Sequence, residues 1–99
     1  MRQFTRQLKR IINKTNEWKE NDIKIICKYT DSKKNITMAT TTKSIVMGLD
    51  YIEILGNRSN TNFDGIFLYF HEVKGIQAYY DKYILKLNNG DIIKIAARM

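Results

Sequence analysis

Few side chains in this sequence are suited to making or breaking bonds. His71 is its single histidine and Cys27 its single cysteine. A Cys-His nucleophilic pair would need these two brought together from separate strands. The alternation around Cys27 instead puts it mid-strand on an apolar side, while His71 falls at a strand end. A zinc site takes three or four His, Cys or acidic ligands, and this inventory is too thin for a His/Cys set. Asp50 with Glu53, and Asp64 with Glu72, are spaced for acid-base work, but neither pair sits in a motif. Glycines 48, 56, 65, 75 and 90 lie at turns and strand ends without the spacing of a phosphate loop. Asn57-Arg58-Ser59 is a glycosylation sequon without consequence in the absence of a secretory signal. The expectation is a binding protein and not an enzyme, with no catalytic residue, metal or cofactor.

The chemistry that is present is cationic. The formal charge is +7, and it is concentrated: residues 1–34 hold ten Lys or Arg against four acids, residues 35–99 seven against six. Arg2, Arg6, Lys9, Arg10 and Lys14 have no acid among them. Cations in the first turn of a helix oppose its macrodipole by ~0.3–1 kcal/mol each, so stability alone would favour Asp or Glu there. A polyanionic ligand accounts for them, because Lys and Arg neutralise phosphates and release counterions. Arg6, Gln7, Arg10 and Asn13 loosely fit a helix that reads base edges, but sequence-independent contact is the safer expectation because charge dominates. Lys33 and Lys34 extend the candidate patch from a turn, with Lys24 and Lys28 on the strand before it. Tyr79 and Tyr80, beside Asp81-Lys82, are candidates for stacking on bases.

The elements that hold these residues follow from periodicity. Phe4, Leu8, Ile11, Ile12 and Trp18 fall within an arc of about 120° at helical spacing, which predicts an amphipathic helix over residues 3–19 with its cations opposite. After Asn21-Asp22 the period becomes two, with Ile23, Ile25, Cys27 and Tyr29 alternating against Lys24, Ile26 and Lys28. Asp31-Ser32-Lys33-Lys34-Asn35 has turn composition, and Ile36, Met38 and Thr40 resume the alternation. A loop or helical turn is expected up to Gly48, then a strand over Leu49–Leu55. Residues 56–64 read as a polar loop in which Arg58 is a candidate phosphate contact. Gly65–Phe70 is apolar on both sides, as in a central strand covered on both faces. Gly75 is expected to supply a positive φ in a turn before a strand over Ile76–Tyr80. Tyr83–Ile95 is the clearest hairpin: a three-residue loop Asn88–Gly90 sets Leu85 against Ile93 and Tyr83 against Ile95 on one side.

Together these predict one α+β domain, a small roll or barrel-like fold in which the N-terminal helix packs on a bent antiparallel sheet of five or six strands. The order of elements resembles the layout of small SH3-like barrels, Sm-like RNA-binding proteins among them, and no function is carried over from element order alone. A single cysteine excludes an internal disulfide, no apolar run reaches the ~18 residues of a membrane span, and no signal peptide is apparent. The expected location is cytoplasmic. The absence of proline and the wealth of Ile, Asn, Lys and Tyr fit an AT-rich genome, such as that of a phage or mobile element. Two partners follow: nucleic acid or a nucleic-acid-processing complex, and alternatively a larger host enzyme occupied by a protein inhibitor or adaptor, as an anti-defence protein would. A homodimer through sheet edges is a further expectation, whereas the helix is needed as cover for the sheet and so is not free to lie on a membrane.

Overall fold

A computed structural model describes residues 4–56 and 65–98. Arg2, Arg58, Asp64 and most of the polar loop expected at 56–64 therefore lie outside the described residues. Helix α1 spans Thr5–Glu20, and seven strands follow: β1 Lys24–Asp31, β2 Ile36–Met47, β3 Tyr51–Gly56, β4 Gly65–Tyr69, β5 Val73–Ala78, β6 Lys82–Leu87 and β7 Ile92–Arg98. All are antiparallel in one sheet of order β4-β3-β2-β1-β7-β6-β5.

The helix on a curled antiparallel sheet is as predicted, but among the described residues the sheet has seven strands and not five or six. All seven join one sheet because residues 42–47, expected to be a loop or helical turn, extend β2 to twelve residues. Its run of Thr, Ile and Val is β-branched and suits a pleated surface. The first half of β2 pairs with β1 and the second half with β3, past a register shift between Thr42 and Ser44. That length ties β3 and β4 to the rest, so no strand is left outside the sheet. Two further expectations fail. Among the described residues strand β4 is an edge rather than a central strand, and Gly75 lies at a bulge in β5 without a positive φ, which of the described glycines only Gly90 has, at +92°.

Chain connectivity dictates the curl. Strands β4 and β5 are opposite edges of the sheet, yet only the 3-10 turn Phe70–Glu72 joins them. Four Cα steps reach at most ~14 Å, whereas the edges of a flat seven-stranded sheet stand ~29 Å apart at ~4.8 Å per strand. The sheet must roll up, and it forms a half-barrel. Inside the roll, Tyr29, Ile66, Leu68 and Leu87 line one cavity although β4 and β6 are far apart in strand order. The 3-10 turn is tied to the β6–β7 turn by the Asn88 amide nitrogen donating to the Glu72 carbonyl at 2.9 Å and by Asn88 Nδ2 donating to the His71 carbonyl at 2.8 Å.

Alternation supplies the core. Ile25, Cys27, Ile52, Ile54, Ile66, Leu68, Leu85, Leu87, Ile93 and Ile95 face inward, and α1 covers them with Leu8, Ile11, Ile12 and Trp18. The Trp18 ring lies 6.0 Å from that of Tyr83. Burying such side chains is worth ~1.5–3 kcal/mol each, which outweighs the helix's poor start: no side-chain cap and no acid in the first turn. The β6–β7 hairpin has the predicted register, Leu85 opposite Ile93 and Tyr83 opposite Ile95.

Candidate functional site

The cations of α1 stand on its solvent side. Arg6, Lys9 and Arg10 are exposed, and none forms an ion pair among the described residues; Lys14 is bonded to Glu17 at 3.5 Å. Lys9 and Thr5 border a cleft at the start of the helix, closed on its far side by Gly48–Asp50 and His71. Lys33 and Lys34 do not join this group. The helix start meets the Met47 end of β2, while Lys33 and Lys34 precede its Ile36 end, at the other end of the twelve-residue strand. Tyr79 and Tyr80 also lie elsewhere, at the turn between β5 and β6.

A second cationic surface was half hidden in the sequence. On the convex side of the sheet, opposite to α1, Lys24 and Lys28 of β1, Lys82 and Lys86 of β6, and Lys94 and Arg98 of β7 alternate with the buried residues. Pairing makes them neighbours. Lys28 is directly opposite Lys94, and Lys24 directly opposite Arg98. Lys94 also has Lys82 and Lys86 diagonal to it across β6, through the pairs Lys82–Ala96 and Lys86–Ile92. No acid occupies this side of the three strands. Like charges directly opposite are destabilising where opposite charges gain ~0.2–1 kcal/mol, so the arrangement works against the fold. Between the cations, Ile26 and Ala96 floor a shallow depression rimmed by Lys28, Lys94 and Arg98.

The two candidate stacking tyrosines border this convex surface and not the helix. Lys82 Nζ lies 5.0 Å from the centre of the Tyr79 ring, and Tyr80 is 88% exposed at the turn. The Ala97 amide nitrogen donates to the Asp81 carbonyl at 2.8 Å, holding that turn against the cationic end of β7. Alternation within the hairpin sequence puts Lys86 and Lys94 on the side opposite to Leu85 and Ile93. What it could not give was β1 lying against β7, a pairing across more than 60 residues.

A third surface is aromatic, with Glu53 of β3 opposite Phe67 among the rings. On the outer side of β3 and β4 the rings of Tyr51 and Phe67 stack at 4.9 Å, Phe67 meets Tyr69 edge-on at 5.0 Å, and Tyr69 stacks on His71 at 5.6 Å. Phe67 is half exposed, and Leu49, at the tip of the β2–β3 turn, is wholly so.

The groups weighed for catalysis are separated. Cys27 is fully buried and burial pushes its thiol up to about 12, which leaves it protonated and inert. His71 is exposed in the 3-10 turn, and Glu72 caps that turn by accepting from the Tyr69 amide nitrogen at 2.8 Å. Asp50 sits in a turn and Glu53 on the outer side of β3. No group of three or more His, Cys, Asp or Glu could hold a metal ion among the described residues. Asp91, 7% exposed, accepts hydrogen bonds from the Tyr29 hydroxyl, the Ser32 amide nitrogen at 2.9 Å and Oγ at 3.1 Å, and Asn89 Nδ2 at 3.1 Å. It ties the β1–β2 and β6–β7 turns together and holds no ligand-facing position.

No helix among the described residues is long and apolar enough to cross a membrane. Comparison with protein-family models, with curated proteins and with solved structures finds no match.

Proposed function

We propose that the protein binds nucleic acid, or a nucleic-acid-processing complex, through its exposed cations. The observation that carries this reading is the state of Arg6, Lys9 and Arg10: solvent-facing, without ion pairs among the described residues, in a helix whose first turn holds no acid. The fold spends nothing on neutralising them, and their charge is available to phosphates. Such contacts position a polyanion without reading its sequence, and each phosphate neutralised steepens the dependence of affinity on salt.

The test is an R6Q/K9Q/R10Q variant titrated with short DNA and RNA oligonucleotides over a range of salt. The expected result is weaker binding and a shallower salt dependence at a melting temperature no lower than that of wild type. Binding with the wild-type slope would remove α1 from the interface.

A second reading is favoured by one observation, the aromatic row of Tyr51 on β3 with Phe67 and Tyr69 on β4, the edge strand among the described residues. Exposed apolar residues beside an unpaired strand edge suit a protein partner, such as a host enzyme that the protein occupies, or a second copy paired edge to edge. Capture of one protein that survives nuclease, and that is lost in F67A/Y69A, would support this reading over the first. A change of apparent mass with concentration would identify the second copy.

A further inference from the structure

We infer that the convex surface of β1, β7 and β6 is a binding track for single-stranded nucleic acid, with Tyr79 and Tyr80 as its stacking end. This rests on the nucleic-acid reading and deepens it, because it names the class of strand and moves the principal contact from α1 to the opposite side of the molecule.

Three observations carry it. Six cations, Lys24, Lys28, Lys82, Lys86, Lys94 and Arg98, share one side of three adjacent strands with no acid among them. Two pairs of them stand directly opposite each other in the ladder, Lys28 with Lys94 and Lys24 with Arg98, an arrangement that stability disfavours and that a run of phosphates would relieve. Finally, the patch is not purely ionic. Its depression is floored by Ile26 and Ala96, and the exposed tyrosines are held at its Lys82 end by the bond from Ala97 to Asp81.

Shape decides between single and double strands. A major groove about 12 Å wide admits one helix or a two-stranded ribbon, and three strands with their neighbours on both sides are wider than that at ~4.8 Å per strand. On a duplex this surface could reach only the outer phosphates, leaving the tyrosines and the apolar floor unused. A single strand presents phosphates and unstacked bases together, which is the combination of a cationic track and aromatic rings. The track is long enough for several contacts, since β7 from Ile92 to Arg98 rises roughly 20 Å at about 3.3 Å per residue.

The experiment measures anisotropy of a labelled oligo(dT) and of a duplex of equal length, at several salt concentrations. Four proteins are compared: wild type, K24Q/K28Q/K94Q/R98Q, Y80A and R6Q/K9Q/R10Q. Wild type is expected to bind the single strand more tightly than the duplex. Removing four cations should flatten its salt slope by nearly 3, at about 0.7 per phosphate contact on single strands. Y80A should weaken binding at least fivefold with the slope unchanged, the signature of lost stacking and not of lost charge. Circular dichroism melts confirm folding, and K28Q alone serves if the fourfold variant does not fold. Equal or tighter duplex binding overturns the inference, as does a slope that changes only in the α1 variant; in both cases the nucleic-acid reading stands. Wild type that binds neither oligonucleotide overturns both.

Discussion

Lys28→Glu should stabilise the protein while weakening its binding. Lys28 is exposed and stands directly opposite the half-buried Lys94. Residues so placed have Cβ atoms about 5 Å apart, and two charges held about 6 Å apart in bulk water repel by roughly 0.7 kcal/mol. Reversing one sign converts that repulsion into a similar attraction, a swing of about 1.4 kcal/mol from Coulomb's law alone. Side-chain ordering and solvent screening reduce it, and exposed pairs usually measure ~0.2–1 kcal/mol. A net gain of about 1 kcal/mol raises the melting temperature of a domain this size by about 4–8 °C. The assay is a thermal melt in low salt and again in 1 M salt, where the screening length is ~3 Å and most of the gain should vanish. Lys33→Glu is the control, since it changes the net charge equally but lies in the β1–β2 turn, outside the strand ladder. A variant that melts no higher than wild type, a gain insensitive to salt, or an equal gain in the control would each refute the claim that cross-strand repulsion is stored on this surface.

Other outcomes follow from single contacts. The hydrogen bonds of Asp91, that from Tyr29 first among them, hold its carboxyl below the usual carboxylate range. Its contribution is therefore present above about pH 4 and is lost as pH falls through the lowered value; Asp91→Asn should flatten the acid limb of a stability-pH curve. Burial, and then the bond to Asp91, push the Tyr29 hydroxyl up to about 12. Stability should thus fall as pH rises from about 10 toward 12, and Tyr29→Phe should reduce that loss, leaving the part that belongs to the buried Cys27 thiol. Gly90→Ala, at a φ of +92°, should lower stability by ~1–2 kcal/mol, read by urea titration. Cys27 should react with a thiol reagent at neutral pH only as fast as the protein unfolds, and pre-steady labelling of the native state would contradict its burial.

What could be read from sequence was local. The β6–β7 register followed from Gly90 and from which pairing buried Leu85 and Ile93 together, and the buried stripe of α1 followed from Leu8, Ile11, Ile12 and Trp18. Failures came where a residue's role depends on a distant neighbour. Phe67 and Tyr69 made β4 look central because apolar residues on both sides usually mean two covers, yet here one side is open. Residues 42–47 read as a loop or helical turn because Thr42 or Ser44 could cap a short helix that Gly48 interrupts, yet the β-branched residues up to that glycine favour the strand that forms. The candidate site suffered in the same way: Lys33, Lys34 and the α1 cations were grouped by nearness in sequence, whereas β2 separates them.

The same topology explains why the convex surface is informative. Rolling the sheet commits its concave side to the core and to α1, so residue types there are dictated by packing. Nothing in the core constrains the outer positions of β1, β6 and β7, and an outer surface under no other demand mixes signs for solubility and weak mutual attraction. The acids of this chain are not scarce: Asp81 borders this surface at the Tyr79–Tyr80 turn, but Glu17 and Glu20 are on α1, Glu53 on β3 and Glu72 in the 3-10 turn. Exchanging any one of them with Lys28 would relieve the ladder at no cost to the core. Six cations share this surface against that gradient, which is the ground for the proposal that a ligand carrying regularly spaced negative charge is their counterpart, one that would turn the repulsion into binding energy.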